Sequence, residues 1–198
     1  MEWFEDEVRA LEGSSSAPAP GQLPVAFYGS SSIRLWGSLT EDFPGLRVVN
    51  LGFGGSTLAA CAHFFRRIVI PRRPRALVVY AGDNDLGDGH SPEQVLESLR
   101  ALLHQTDQLL GPIPVAFLSI KPSPARWHLN DQIRRANDST REEITRRPGG
   151  RFIDVYPLML GHDGRPRPEL YEPDGLHLTS LGYRLWAREI TAHAADFF

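Results

Sequence analysis

The sequence predicts an α/β fold in which one parallel sheet lies between two layers of helices. Short apolar runs rich in β-branched and aromatic residues recur along the chain and alternate with longer segments of helical periodicity. The runs are apolar on both faces, which is typical of parallel strands covered by helices on each side. With 198 residues, of which 41% are hydrophobic, the chain is long enough to fill one such core. We therefore expect a single three-layer α/β/α sandwich.

The first 24 residues are expected to form a segment ahead of the folded domain. Residues 1–13 have the pattern of a short acidic helix, and the Ser, Pro and Gly content of residues 14–24 predicts a flexible linker. The helix carries an apolar stripe, which is formed by Trp3, Phe4, Val8 and Leu11. We expect the stripe to pack on the chain's own domain, at residues 25–198, although docking on a partner protein is an alternative.

The domain is predicted to alternate strands with helices. Five strands are predicted, at 25–28, 46–50, 76–80, 114–120 and 151–155. Helices are predicted at 58–70, 91–110, 125–147 and 179–197. The second of these helices has Ser91 as its N-cap and Pro92 at its first position, and Thr179 or Ser180 caps the last. This order predicts a doubly wound sheet of five parallel strands.

Composition excludes several classes of function. The net charge of −3 comes from interspersed acidic and basic residues, so no basic surface for nucleic acid is indicated. Cys61 is the single cysteine, which excludes an internal disulfide, and its apolar neighbours predict a buried thiol rather than a nucleophile. The N-terminus lacks the pattern of a secretory signal, and no apolar stretch approaches the roughly 18 residues of a membrane span. We expect a cytoplasmic protein that acts on a small molecule, of undetermined oligomeric state.

Small and polar residues follow several of the predicted strands. Residues 29–32, 50–57 and 81–85 come directly after the first three strands, and Asp174 and His177 lie in the loop before the last helix. In a doubly wound sheet, ligands bind in the crevice beyond the carboxyl ends of the strands. The sequence therefore brings these polar groups to one edge of the sheet.

Acyl transfer needs the kinds of residue found at this edge. A serine in a tight turn after a strand can act as a nucleophile, and Gly29 gives the chain the freedom to turn there. Asp174 and His177 can supply the carboxylate and the imidazole that activate it. Backbone N–H groups of residues 52–55 and of the serine, with the amide of Asn84, can donate to an oxyanion.

Four sequence blocks in this order resemble those of the SGNH/GDSL hydrolases, a family of serine esterases with a flavodoxin-like three-layer fold. The third and last blocks, Gly82-Asp83-Asn84-Asp85 and Asp174-Gly175-Leu176-His177, match fully, and the resemblance covers about residues 25–185. It implies Ser31 as nucleophile and His177 with Asp174 as its partners. It also implies an oxyanion hole made by Ser31, Gly55 and Asn84, and it implies no metal and no cofactor.

Two blocks depart from the usual pattern of the family. The first usually has Gly-Asp-Ser, whereas Ser30 stands here at the aspartate position and Ser31 keeps the serine position. In the second block, GFGGST, the family pattern is carried over to Gly55 rather than to Gly52 or Gly54.

Other interpretations of the same residues are weaker or stay open. Residues 83–90 suggest a calcium loop, but Asp88 and Gln94 occupy the positions that require glycine and glutamate. A dinucleotide loop starting at Gly52 fails at Thr57. Lys121 is either an ion-pair partner or a substrate contact. Tryptophans 36 and 186 are expected in the core, and Trp127 either packs there or lines the site.

We therefore expect a metal-independent serine esterase that forms an acyl-enzyme. The absence of an insertion long enough for a lid favours short acyl or acetyl esters. A lysophospholipase or thioesterase using the same site is an alternative, and so is a catalytically silent carbohydrate-binding protein of the same fold.

Overall fold

The structure, a computed structural model, describes residues 1–13 and 23–193. Most of the predicted linker lies outside these residues, so the division of the chain into 1–24 and 25–198 stays a prediction. The strands are β1 (Val25–Gly29), β2 (Val48–Gly52), β3 (Ala76–Tyr80), β4 (Val115–Leu118) and β5 (Gly150–Ile153). The α-helices of the described residues are α1 (Glu5–Gly13), α2 (Ser31–Arg34), α3 (Leu39–Asp42), α4 (Leu58–Ile68), α5 (Asp83–Gly87), α6 (Pro92–Leu110), α7 (Asn130–Arg146) and α8 (Ser180–Ala192).

The five strands form one parallel sheet, as predicted. Their order is β2-β1-β3-β4-β5, so the chain winds first to one side of β1 and then to the other. This is the strand order of flavodoxin-like folds, and the reversal falls between β1 and β3. Gly29 at the end of β1 is paired with Gly52 on one side and with Tyr80 on the other. The carboxyl ends of the three strands that precede the first three sequence blocks are therefore neighbours.

Several strands differ slightly in extent from the sequence prediction: β5, for example, ends at Ile153 rather than at residue 155. For β2 and β4 the hydrogen bonds show the reason. Leu46 begins an apolar run, but its N–H donates to the carbonyl of Phe43 in a turn, so the ladder of β2 starts only at Val48. Strand β4 stops at Leu118 rather than at residue 120. The backbone of Ile120 is bonded on both sides by the amide of Asn137, which takes the place of a neighbouring strand.

Alternate residues of the strands point into two separate cores, as the apolar character of both faces predicts. Ala26 and Tyr28 of β1 belong to the core beneath α1, α4, α6 and α7. Val25 and Phe27 belong to the other, which α8 and the α2–α3 segment cover. Trp36 and Trp186 lie in this second core with ring centroids 6.1 Å apart, which confirms their predicted packing role. Cys61 is buried as predicted, and burial raises the pKa of its thiol.

The longer helices lie where the sequence places them. Ser91 and Gln94 form a capping box at the start of α6, and the Thr179 hydroxyl caps α8. The helix predicted from residue 125 begins only at Asn130, because the chain passes through a loop and a 3-10 turn at Trp127–Leu129 first. None of the helices in residues 1–13 and 23–193 is both long and apolar enough to cross a membrane.

The N-terminal helix α1 packs on the domain through most of its predicted stripe. Val8 is fully buried, and the Phe4 ring meets Phe53 edge-on at 5.4 Å. Trp3, in contrast, is 87% exposed, so the expectation that it packs with the others is wrong. Trp3 lies in a 3-10 turn, Glu2–Phe4, that precedes the helix, and the residue of this turn that meets the domain is Phe4.

Candidate active site

The nucleophile position follows a turn that only glycine permits. Gly29 has φ of +145°, and a Cβ atom there would lie 1.8 Å from the carbonyl oxygen of Tyr80 on β3. The N–H of Ser30 donates to that same carbonyl, and Ser31 then starts α2. The positive φ of Gly29 turns the chain out of the sheet within two residues of the end of β1. Ser31 therefore lies directly beyond the carboxyl end of that strand.

The structure brings Ser31, His177 and Asp174 into one chain of contacts. The Oγ atom of Ser31 lies 3.1 Å from Nε2 of His177, although the two residues are 146 positions apart. On the other side of the ring, Nδ1 lies 2.6 Å from Oδ2 of Asp174. This is the geometry in which an imidazole can take a proton from a serine while a carboxylate fixes its tautomer.

The Asp174 carboxylate is held by its own loop as well as by the imidazole. Its Oδ1 atom accepts hydrogen bonds from the N–H groups of Leu176 and His177. The hydrogen bond from the His177 ring, followed by these two backbone bonds, lowers the pKa of Asp174 to about 2. Asp174 is therefore ionised near neutral pH.

The glycine-rich turn after β2 lies against the start of α2. A Cβ atom at Gly52 would come within 2.3 Å of the N atom of Arg34, so the turn and the helix are in direct backbone contact. The side chain of Asn50 ties the same two segments, since it accepts from the N–H of Gly52 and donates to the carbonyl of Ile33. Gly55 has φ of +70° and open space where a side chain would be.

Asn84 lies beside this turn at the start of α5. Its Nδ2 atom donates to the carbonyl of Ser56 at 3.0 Å, and its Oδ1 atom accepts from Arg126 at 2.9 Å. The sequence-predicted residues Ser31, Gly55 and Asn84 thus stand at three neighbouring strand ends. These strand ends form the edge at which the sequence predicts the oxyanion hole.

A buried ion cluster lies behind Asn84. Nζ of Lys121 is 2.8 Å from Oδ2 of Asp83, and it also donates to the hydroxyls of Tyr80 and Ser32. Burial acts to raise the pKa of Asp83, but the nearby cations Lys121 and Arg126 outweigh it and the pKa is lowered. The lysine side chain is 1% exposed, so of its two predicted roles the structure supports the ion pair.

The carboxylates that suggested a calcium loop are engaged elsewhere in the protein. Asp83 faces Lys121 and Arg126, and both oxygens of Asp85 accept from the N–H of Leu58 at the start of α4. Burial raises the pKa of Asp85 to about 6. Asp85 thus fixes the helix that follows the glycine-rich turn.

Ser30 is buried next to the candidate nucleophile. It is 1% exposed, and its hydroxyl has no hydrogen-bond partner within the described part of the chain. A buried carboxylate is costly unless it is paired or hydrogen-bonded, so the burial of this position suits a neutral serine.

Two contributors to the site were not predicted from the sequence. Glu7 of α1 accepts from the N–H of Gly54 at 2.7 Å and so supports the glycine-rich turn from outside the domain predicted at 25–198. Arg126 reaches Asn84 from the loop after β4, and neither residue belongs to a motif that would have singled it out. Trp127, the next residue, is half-buried, and the guanidinium of Arg165 lies over its ring at 5.1 Å.

Comparisons with known proteins identify the family and the fold of the chain. The sequence model of the GDSL-like lipase/acylhydrolase family matches residues 15–185. A GDSL-like lipase from Bacteroides thetaiotaomicron superposes with a TM-score of 0.80 at 20% identity, covering 98% of this chain and 98% of that chain. A proposed acylhydrolase from Bacteroides fragilis gives 0.81 at 20% identity, covering 96% of this chain and 95% of that one.

A mutant of an acetyl-xylooligosaccharide esterase from Geobacillus gives a TM-score of 0.66 at 16% identity, covering 86% of this chain and 95% of that chain. At these identities the structural likeness shows the fold alone. A search of curated proteins found no match. The family match spans the glycine-rich turn, Asn84 and the loop of Asp174 and His177. The chain therefore belongs to the GDSL-like lipase/acylhydrolase family and is a serine hydrolase that acts on ester bonds.

Proposed function

We propose that the protein is a metal-independent esterase that hydrolyses carboxylic esters of short acyl groups through a Ser31–His177–Asp174 triad. The observation that carries the proposal is the unbroken chain of contacts from Ser31 through the imidazole to Asp174, with distances of 3.1 and 2.6 Å. Both distances are within hydrogen-bond range, so the serine proton has a direct acceptor.

In the first half of the reaction, Oγ of Ser31 attacks the ester carbonyl carbon while Nε2 of His177 takes its proton. The Oγ–C bond forms, and the carbonyl π electrons move onto the carbonyl oxygen. Asp174, which is ionised, stabilises the imidazolium through Nδ1. The proton then passes from Nε2 to the leaving alcohol oxygen as the C–O bond breaks, which leaves an acyl-enzyme on Ser31.

The negative oxygen of the tetrahedral intermediate is held by three donors. These are the backbone N–H groups of Ser31 and Gly55 and one N–H of the Asn84 amide, whose other N–H is bonded to the Ser56 carbonyl. Donors fixed before the reaction stabilise charge as it develops, which is often the largest contribution to catalysis. In the second half, water attacks the acyl group with His177 as base, and Ser31 is released with the acid product.

The openness of the site favours small or protruding acyl groups. The side chains of His177 and Asp174 are 30% and 50% exposed, so the triad lies at the surface rather than at the bottom of a tunnel. A long acyl chain at such a site would keep much of its apolar surface in water. The esterase from Geobacillus with the same fold is described as acting on acetylated xylooligosaccharides, which supports acetyl esters of carbohydrates as the substrate class to test first.

The test compares hydrolysis of p-nitrophenyl acetate, butyrate and octanoate by the wild-type protein and by Ser31→Ala. We expect the acetate and butyrate to be cleaved faster than the octanoate, and Ser31→Ala to show only background rates. Ser30→Ala is the matched control, because the Ser30 hydroxyl is adjacent but has no hydrogen-bond partner among the described residues. Equal rates for wild type and Ser31→Ala would refute the triad, and a preference for octanoate would refute the short-chain assignment.

Labelling with a fluorophosphonate separates an esterase from a silent carbohydrate-binding protein of the same fold. An activated Ser31 is expected to react and to be found in the labelled peptide by mass spectrometry, with Ser31→Ala as the unlabelled control. A wild-type chain that stays unlabelled would support the binding protein.

A further inference from the structure

We propose that Arg126 is a positioning residue that holds the amide of Asn84 in the one orientation that serves the oxyanion hole. The proposal rests on the function proposed above, in which Asn84 donates to the tetrahedral intermediate. Arg126 lies outside the four sequence blocks of the family, in the loop between β4 and α7.

The contacts of Asn84 leave its amide a single orientation. Oδ1 accepts a hydrogen bond from Nη2 of Arg126 at 2.9 Å, and Nδ2 donates to the carbonyl of Ser56 at 3.0 Å. A flipped amide would place its NH₂ group against the guanidinium and its oxygen against a carbonyl, so both hydrogen bonds would become repulsions. With the amide fixed, the second N–H of Nδ2, which has no hydrogen-bond acceptor among residues 1–13 and 23–193, can donate to the substrate.

Arg126 is itself held firmly enough to act as a support. Its Nη1 atom lies 3.3 Å from Oδ2 of Asp83, the same oxygen that pairs with Lys121. On the far side the guanidinium lies flat against Gly87, where a Cβ atom would approach Cζ, Nε and Nη2 to 3.0 Å each. The guanidinium is thus placed between the two ends of α5, with 19% of its side chain exposed.

The charges of this cluster favour the same role. Nη2 of Arg126 donates to Oδ1 of Asn84 while Nη1 faces Asp83, so a guanidinium cation lies directly against the amide. A charge-assisted bond to Oδ1 also polarises the amide and makes its N–H a stronger donor. Both effects grow as negative charge appears on the substrate oxygen, so they stabilise the transition state more than the bound ester.

The primary test is Arg126→Gln assayed on p-nitrophenyl acetate. Removing an oxyanion donor altogether lowers kcat by about two to three orders of magnitude, and loss of its orientation alone is expected to lower kcat about tenfold. KM is expected to change less than about twofold, because the amide is needed for the transition state rather than for substrate binding. Arg135→Gln, at an exposed site on α7, is the matched control and should keep wild-type values.

A double-mutant cycle with Asn84→Ala separates positioning from a general structural effect. If Arg126 acts through the Asn84 amide, Arg126→Gln should lower kcat little or not at all once Asn84 is alanine. The same tenfold loss in both backgrounds, or no loss in the wild-type background, would overturn the proposal. Ser31→Ala in the same series shows whether the esterase assignment itself has failed, because it would then match the wild type.

Gly87→Ala keeps the proposal testable if Arg126→Gln does not fold, as judged by thermal unfolding. Its added methyl group displaces the guanidinium by a few tenths of an ångström without removing any charge. We expect a smaller fall in kcat than for Arg126→Gln, and again none in the Asn84→Ala background. An unchanged kcat for folded Gly87→Ala in the wild-type background would count against the proposal.

Discussion

Replacing Lys121 by methionine tests whether the buried ion cluster supports the fold. The lysine side chain is 1% exposed and the Asp83 side chain 6%, so the change removes one partner of a fully desolvated pair. Breaking such a pair costs about 3 to 5 kcal/mol, because the remaining charge stays buried without compensation. Arg126 remains 3.3 Å from the same carboxylate oxygen. We therefore expect the free energy of unfolding to fall by about 3 kcal/mol, the lower end of this range.

The assay is equilibrium unfolding by urea together with thermal unfolding. For a chain of this size each kcal/mol corresponds to about 2 to 4 °C, so the Tm of Lys121→Met should fall by about 6 to 12 °C. A loss below about 1 kcal/mol would refute the reasoning, since that is the value of an exposed ion pair.

The same variant has a predicted pH dependence. In the wild-type protein the pKa of Asp83 is lowered, so its ionised form contributes stability above the ordinary pKa, and this contribution is lost as the pH falls through the folded value. Without Lys121, one of the two cations that offset burial is lost, so the pKa of Asp83 is expected to rise and its ionisation to become less favourable in the folded protein. The difference in the free energy of unfolding between wild type and Lys121→Met should therefore be larger at about pH 7 than at about pH 4. Addition of Asp83→Asn, which removes the buried charge, should recover part of the loss at the higher pH.

Three further predictions follow from the site and from the N-terminal helix. Asn84→Ala should lower kcat by about two to three orders of magnitude in the p-nitrophenyl acetate assay with little change in Tm, whereas an unchanged kcat would remove Asn84 from the oxyanion hole. Asp174→Asn should lower kcat by about four orders of magnitude, because the imidazole loses the group that fixes its tautomer, and a loss of less than about tenfold would show that the exposed carboxylate is dispensable. Hydrogen bonds from Arg67 lower the pKa values of Glu5 and Glu12 from 4.5, so docking of α1 should be strongest above that pH and weaken as the pH falls. The hydrogen-exchange protection factor of the Val8 amide should then fall in acid before those of the α6 amides do. A simultaneous fall in both would contradict this prediction.

The sheet could be predicted because the sequence signals for its strands and for the helices between them lie within short segments of the chain. Strands β1, β3 and β4 are short apolar runs buried on both faces. Helices α4, α6 and α8 each begin with a side-chain cap, at Thr57, Ser91 and Thr179. The boundaries were less accurate where a side chain competes for the backbone. Asn137 takes the hydrogen bonds that would have extended β4 to Ile120, and no pattern in the strand itself announces this contact.

The candidate site could be predicted in part because its central residues lie at strand ends in recognisable blocks. Ser31, Asn84, Asp174 and His177 were placed from the sequence, and the structure brings Ser31 to the imidazole and the imidazole to Asp174. The residues that support them depend on the path of the chain. Glu7 reaches Gly54 across 47 positions, which the sequence pattern does not encode.

Helix α5 shows a different reason for a missed element. The sequence Gly82-Asp83-Asn84-Asp85-Leu86-Gly87 has the composition of a turn, with two carboxylates in its first four residues. It is helical in the structure because Gly82, with φ of +117°, allows the chain to turn into it and because Lys121 and Arg126 compensate Asp83. Both cations come from the loop after β4, so the stabilising charge is distant in sequence.

The most direct test of the central claim is a search for the acyl-enzyme. Wild-type protein is mixed with p-nitrophenyl acetate, quenched in acid within the first turnover and digested for mass spectrometry. Catalysis by the proposed triad predicts a mass increase of one acetyl group on the peptide that contains Ser31, absent from Ser31→Ala and accumulating more slowly in His177→Ala. Acetylation of another residue, or hydrolysis with no acetyl group on Ser31 at any time, would contradict the account.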